Sequence, residues 1–295
     1  MQFLHKLSRR QAGWLAVLLL FFIAAGIWAQ VLGPTQGSGT LTFAVLNIGQ
    51  GDALYIEGPT GVQVLVDGGP DSSVLTQLPA VMPLLDRTLD AVVATHPDAD
   101  HIGGLVDVLQ RYTVGAFIEP GITKHNATND KLEAEVASES VPRYTARRGM
   151  WLDLGGGARL KILYPDWDVT HMDLKKDNDG GIVAHLVYGN TSVLLTADTS
   201  SAVEEHLIAI STTTELQSTI LKVAHHGSRF SSEPAFVSEI SPQVAVISVG
   251  AHNTYGHPTP QTLSTLTSLN IPVLRSDQEG TIVFKSNGKE FVRVQ

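Results

Sequence analysis

Six consecutive residues constrain the fold of this chain more than any other stretch: His96-Pro97-Asp98-Ala99-Asp100-His101. They place two imidazoles and two carboxylates directly behind the apolar run 89–95. An apolar run of that length, bounded by polar residues, reads as a buried strand. Residues 96–103 then read as a polar loop, and 104–112 as a helix. In a loop, alternate residues can turn inward, so His96 and Asp98 can serve one metal ion while Asp100 and His101 serve another. Imidazole and carboxylate suit zinc, manganese or iron. Four such groups held together are costly unless cations neutralise them. Capping of the following helix accounts for one of the two aspartates and leaves the other three groups unexplained.

Composition narrows the chemistry further. The 295 residues include no cysteine, which removes disulfides, cysteine-ligated zinc and thiol nucleophiles together. Any transition-metal site must therefore use histidine and carboxylate. The net charge is −9, and it is unevenly spread. Lys6, Arg9 and Arg10 are the only charged residues before Asp52, so residues 52–295 carry 17 basic against 29 acidic side chains, a net of −12. Such an acidic body excludes a broad basic face for gripping nucleic acid.

The first 32 residues read as a topology signal. Residues 1–11 are polar and basic, and residues 12–32 carry no charge, with Gln30 the one polar side chain. Twenty-odd such residues are enough to cross the roughly 30 Å hydrocarbon layer. Cations on one side only predict a cytoplasmic N-terminus and an extracytoplasmic body. The expectation is an uncleaved single-pass signal-anchor in the cell membrane. The alternative is a signal peptide cut near Ala24-Ala25-Gly26, which would make the protein secreted. Residues 33–40 read as a flexible linker.

From residue 41 to 295 strand and helix patterns alternate without a second linker, which predicts one domain of α/β class. Strands are expected at 41–47, 53–57, 63–66, 89–95, 159–164, 182–188, 192–196, 220–224 and 244–249. Helices are expected at 73–85 (interrupted by Pro79 and Pro83), 104–112, 201–210 and 260–269, and the chain closes with a hairpin turning at Ser286-Asn287-Gly288. This order suggests two sheets with helices packed outside.

The motifs in order resemble the metallo-β-lactamase superfamily, in the branch formed by the soluble domain of ComEC competence proteins. The resemblance covers about residues 41–290. It rests on the His-x-Asp-x-Asp-His cluster together with Asn47-Ile48-Gly49-Gln50-Gly51-Asp52, Leu65-Val66-Asp67-Gly68-Gly69, Leu194-Leu195-Thr196-Ala197-Asp198, Leu221-Lys222-Val223-Ala224-His225-His226-Gly227-Ser228 and Asn253-Thr254-Tyr255-Gly256-His257-Pro258. It implies the four-layer αββα sandwich, with two mixed sheets and helices on the outside. It also implies two divalent ions, zinc or manganese, with Asp198 bridging them.

The expected ligands are His96, Asp98, Asp100, His101, Asp198 and His225. Asp67 ends a strand before two glycines, and the resemblance makes it a group that orients the ligands. Consecutive histidines at a strand end face opposite sides. His225 is therefore taken as ligand and His226 as a supporting or substrate-contacting residue, with the reverse order open. His226, His257 and Asp100 are the expected catalytic residues, His257 as ligand or proton donor. Asp52, Asn178, Ser228, Asn253 and Tyr255 are expected to support the ligands or touch substrate. Two positions depart from the branch: Ala197 stands where glycine is usual, and Gly181 where serine is usual. The charged stretch 166–179 is read as a solvated surface loop.

The function implied is a metal-dependent phosphodiesterase or nuclease acting on single-stranded nucleic acid. Two ions sharing an aspartate would activate water and offset charge on the phosphate. The competing readings are a phosphorylcholine-esterase-like or lactonase-like hydrolase, and a membrane-tethered binding subunit without catalysis. With one candidate span the chain is no channel, so a part in DNA uptake would need a separate membrane channel protein.

Overall fold

The computed structural model describes residues 10, 14–23 and 39–295, with the backbone alone at 174–176. The chain forms two compact units, Met1–Gln36 and Gly37–Gln295. In the first, residues 14–23 are α-helical, and the rest of the expected span 12–32 lies outside the described residues. Among the described residues no helix is long and apolar enough to cross a membrane. Of the expected linker, 33–38 lies outside the described residues as well.

The second unit contains seventeen strands among its described residues: β1 (Leu41–Val45), β2 (Leu54–Glu57), β3 (Gln63–Val66), β4 (Thr88–Leu89), β5 (Ala91–Val93), β6 (Thr113–Val114), β7 (Phe117–Glu119), β8 (Arg143–Thr145), β9 (Trp151–Gly155), β10 (Ala158–Tyr164), β11 (Val183–Tyr188), β12 (Thr191–Leu195), β13 (Ile220–Lys222), β14 (Val244–Ile247), β15 (Val273–Arg275), β16 (Ile282–Ser286) and β17 (Phe291–Arg293). Eight form one sheet in the order β17-β16-β1-β2-β3-β5-β7-β8, and seven form a second in the order β15-β14-β13-β12-β11-β10-β9. Both sheets are mixed. The first is parallel from β3 to β8, and the second from β12 to β15.

Three apolar clusters account for the layering. Between the sheets, Phe43, Ile56 and Val66 of the first pack with Leu160, Val193 and Val246 of the second, all buried. The outer face of the first sheet packs on α1 (Val74–Val81), α3 (Leu105–Arg111) and α4 (Ala127–Ser138), reached after the one-turn helix α2 (Ala99–Ile102). The outer face of the second packs on α5 (Ser201–Ile210), α6 (Thr213–Leu216), α7 (Pro234–Ile240) and α8 (Pro260–Ser268). This is the mixed αββα sandwich. Each large side chain in these layers contributes about 1.5–3 kcal/mol by leaving water.

Several local expectations shift. The helix expected over 73–85 stops at Val81, and Met82, which precedes Pro83, is extended at ψ 160° because proline disfavours the helical conformation in the residue before it. The strand expected over 89–95 divides into β4 and β5 around Asp90, whose carboxylate accepts the Gln63 backbone N–H at 2.7 Å. The loop expected at 96–103 contains helix α2. Asp98 occupies its N-cap position, yet its carboxylate makes no capping bond. Helix α4 was not legible because its buried face is only Leu132 and Val136.

Candidate metal centre

Five parallel strands, two of the first sheet and three of the second, lead into one place, and the chemical groups follow their ends. Asp67 follows β3, Thr95 and His96 follow β5, Asp198 follows β12, His225 and His226 follow β13, and Ser248 follows β14. Three of these positions, Asp67 (φ 59°), His225 (49°) and His226 (53°), have left-handed backbone, as does Ala197 (46°) directly before Asp198. Such φ values cost about 1–2 kcal/mol each outside glycine and gather where a scaffold forces side chains into place. The angle at Ala197 is also the physical reason glycine suits that position. The chain approaches itself closely as well: a Cβ on Gly51 would lie 2.0 Å from the Asp100 carbonyl oxygen.

Asp100, His101, Asp198 and His226 each present a ligand atom, and these four atoms lie within 4.8 Å of one another. His101 Nε2 is 3.3 Å, and His226 Nε2 3.4 Å, from Asp198 Oδ2. His226 Nε2 is 3.5 Å from Asp100 Oδ2. Beside this group, His96 Nε2 lies 3.7 Å from Asp98 Oδ2, and the His96 and His101 rings are 4.1 Å apart. His225 stands at the more exposed edge, with Nε2 3.7 Å from Asp198 Oδ2. Thus His226 completes the four-residue group and His225 lies next to it. The alternation argument from strand geometry does not apply, since β13 ends at Lys222 and both histidines sit in a left-handed 3-10 turn.

Each inner ring is oriented through Nδ1. His101 Nδ1 donates to Asp67 Oδ2 at 2.8 Å, and His226 Nδ1 to the Ser248 carbonyl at 2.9 Å. Thr95 donates to Asp67 through its backbone N–H (2.8 Å) and hydroxyl (2.7 Å), which leaves the hydroxyl oxygen to accept from His96 Nδ1 at 3.0 Å. In the neutral form of each ring the lone pair is thereby left on Nε2, the state required of a metal ligand. Six buried side-chain atoms among the described residues have no hydrogen-bond partner: Asp52 Oδ1, His96 Nε2, His101 Nε2, Asp198 Oδ1, His226 Nε2 and His257 Nδ1. Orphaned buried polar atoms are rare and costly. All six belong to this one site, and their chemistry fits divalent cations of the zinc or manganese kind.

Electrostatics agree. Burial opposes charge on His101 and His226, but Asp198 and its neighbouring carboxylates outweigh it. They hold His101 well above the ordinary histidine range and His226 at about 9. Burial also opposes ionisation of Asp198 and Asp100, and the same histidines reverse it, taking Asp198 well below the usual carboxylate range and Asp100 to about 2. The cluster is balanced by protons where a metal centre is balanced by cations. His96, with burial and His101 against it, is lowered.

The remaining expected residues fall into place around this group. Asp52 accepts from the buried Lys222 ammonium at 2.7 Å, and its Oδ1 is 3.5 Å from His226 Nδ1. Asn253 holds the loop that carries His257, donating to the Gly250 and His257 carbonyls (2.9 and 2.8 Å) and accepting from the His257 backbone N–H at 3.0 Å. The His257 ring is 5.6 Å from that of His225 and 6.5 Å from that of His226. Tyr255, 67% exposed, stacks on His257 with centroids 5.8 Å apart. The buried Ser228 hydroxyl accepts from the Phe230 backbone N–H at 3.3 Å, a contact within its own loop. With its amide nitrogen turned to the carboxylates, Asn178 donates to Asp98 Oδ2 at 3.1 Å and Asp177 Oδ1 at 3.3 Å. At Gly181, a Cβ would lie 3.0 Å from the Asn178 carbonyl oxygen and 3.7 Å from His96 Cβ, so a serine there would crowd the backbone beside a ligand.

Three residues escaped the sequence reading. Lys222 is fully buried, and the signal for it was a lysine inside an apolar strand. Lys124 donates to both Asp98 and Asp177. Asp177 is itself buried, which corrects the reading of 166–179 as a wholly solvated loop.

Comparison with known proteins places this geometry in a family. The chain is 29% identical over 258 residues to ComE operon protein 3 of Bacillus subtilis (strain 168), covering 82% of this chain and 32% of that protein. It is 28% identical over 244 residues to competence protein ComA of Neisseria gonorrhoeae, covering 81% and 31%. The chain thus spans about a third of the length of the curated relatives it matches. Among solved structures, Igni18, a metallo hydrolase from the archaeon Ignicoccus hospitalis, shares the fold with a TM-score of 0.54 at 16% identity, over 82% of this chain and 98% of that one. The sequence model of the metallo-beta-lactamase superfamily matches residues 46–252, from the end of β1 to the loop before His257. With the αββα layers and the histidine–aspartate cluster at their strand ends, this chain belongs to the metallo-beta-lactamase superfamily.

Proposed function

We propose that this protein is a two-metal phosphodiesterase that cleaves single-stranded nucleic acid. The observation that carries the reading is the convergence of unpartnered ligand atoms at one set of strand ends. The likeness to competence proteins supports nucleic acid as the substrate class.

Asp100, His101, His226 and Asp198 would hold one ion, and His96, Asp98 and Asp198 the other, with His225 at the open edge. Bound there, two divalent ions lower the pKa of water and offset charge on the phosphodiester. The protein's own residues do the rest. Asp67 and Thr95 fix the rings of His101 and His96, and the Ser248 carbonyl fixes that of His226. His257, pinned by Asn253 at the mouth, is placed to exchange a proton with the departing oxygen, a role worth about 10²–10⁴ in rate. Tyr255 offers an exposed ring on which a base can stack. With an acidic body, nucleic acid is held locally by the site and a few loops. The reading includes anchoring by residues 12–32, with the hydrolase domain extracytoplasmic and a separate membrane channel protein as partner for any DNA uptake.

The test is a substrate panel with added manganese or zinc: a single-stranded oligonucleotide, a duplex, bis(p-nitrophenyl) phosphate, a phosphorylcholine ester and a lactone. The expected result is cleavage of the oligonucleotide, abolished by Asp198→Ala. Turnover of the phosphorylcholine ester or lactone with no oligonucleotide cleavage would overturn it in favour of another ester hydrolase, a reading the net charge of −12 over residues 52–295 favours.

A further inference from the structure

The two halves of the centre are not built alike. On one side, four ligand atoms from Asp100, His101, Asp198 and His226 lie within 4.8 Å of one another, and the ion-pair-range partner of Asp100 is His226. On the other side a protein cation is already in place. The Lys124 ammonium donates to Asp98 Oδ1 and to Asp177 Oδ2, from residues 26 and 53 positions away. Asn178 takes up Asp98 Oδ2, the oxygen that faces His96 Nε2. The lysine is held there by its own backbone: its carbonyl accepts from Asn129 Nδ2 at 2.8 Å, and Asn126 caps helix α4 directly behind it. Among the described residues, His96 and Asp98 join no group of three or more mutually close ligands.

We propose that Lys124 is a resident cation that sets the metal affinity of the His96–Asp98 half, so that the two ions bind in sequence. The first enters among Asp100, His101, Asp198 and His226. The second must share Asp98 with an ammonium that, divided between Asp98 and Asp177, already offsets part of its charge, and it binds more weakly for that reason. Lys124 acts through Asp98 and is a positioning residue. This inference rests on the metal centre proposed above.

The test is manganese titration of the metal-stripped full-length protein by calorimetry, with bound metal counted by mass spectrometry. The unaltered protein is expected to bind in two steps, the second weaker by roughly tenfold or more. In Lys124→Met the second step tightens by roughly tenfold while the first stays within about threefold, because removing the ammonium restores the full charge of Asp98. Lys124→Arg, which keeps the charge, stays near the unaltered protein. Should Lys124→Met fail to fold by circular dichroism, Lys124→Gln is read in its place. A second step unchanged or weakened in the neutral variants would overturn the role of Lys124 and leave the centre standing. No binding by the unaltered protein would overturn the centre itself, and this inference with it.

Discussion

Asp67 and His101 stand 34 residues apart in sequence, yet Asp67 Oδ2 and His101 Nδ1 meet at 2.8 Å in the buried interior. The contact exists because β3 and β5 are parallel neighbours, so the turns that follow them open on the same side. It turns His101 Nε2 toward Asp198, 3.3 Å away. Asp67→Asn keeps the size of the side chain and removes the charge that orients the ring. It should weaken metal binding by about 10–100-fold, as carboxylate partners of metal-bound histidines do. Calorimetric titration of the metal-stripped variant checks this, and unaltered affinity would show that Asp67 has no part in it.

Asp52 and Lys222 form a fully buried ion pair at 2.7 Å, 170 residues apart, joining the two sheets behind His226. Removing one partner leaves a buried charge without compensation. Lys222→Met should therefore cost about 3–5 kcal/mol in denaturant unfolding, and adding Asp52→Asn should recover part of the loss. A double variant less stable than Lys222→Met alone would contradict this.

Glu204 of α5 gives a pH dependence remote from the metal centre. Its buried carboxylate accepts the backbone N–H groups of Ser232 and Glu233 at 2.6 and 2.9 Å, and burial outweighs those bonds and pushes it up to about 7. The folded state then holds a proton that the unfolded chain releases near 4.5. The contribution is fully present below pH 4.5 and is lost as pH rises through 7, a change of about 3 kcal/mol. Unfolding free energies from pH 4.5 to 8 should show this fall, and Glu204→Gln should lack it. Parallel pH profiles for the two proteins would exclude the assignment.

How much of this was legible in sequence depended on whether a feature was local. The strands ending in Asp67 and Asp198 showed as short apolar runs followed by an aspartate, and helix 201–210 as a capped periodic segment. The cluster from His96 to His101 was visible because its ligands are contiguous. The orientation of His225 and His226 was not, because it follows from φ angles of 49° and 53° that only tertiary packing imposes. The contacts of Lys124 with Asp177 and of Lys222 with Asp52 span 53 and 170 residues. Such pairings leave no local pattern beyond a charge in an apolar strand.

Tyr255 tests the substrate class at the rim. Its ring is 67% exposed and lies over that of His257, with centroids 5.8 Å apart. Base stacking on an aromatic ring is worth about 1–3 kcal/mol. Tyr255→Ala should raise KM for a single-stranded oligonucleotide by roughly 5–150-fold with little change in kcat, and Tyr255→Trp should restore it. An equal rise in KM on an oligonucleotide lacking bases near the cleaved bond would rule out stacking.

If the buried cluster of Asp100, His101, Asp198 and His226 is a metal site, hydrolysis depends on it. The most direct test is metal content measured together with phosphodiester hydrolysis, before and after chelation. The purified protein should carry at least one equivalent of transition metal, lose hydrolysis when it is stripped, and recover it on adding manganese or zinc. Hydrolysis at an undiminished rate by metal-free protein would contradict it.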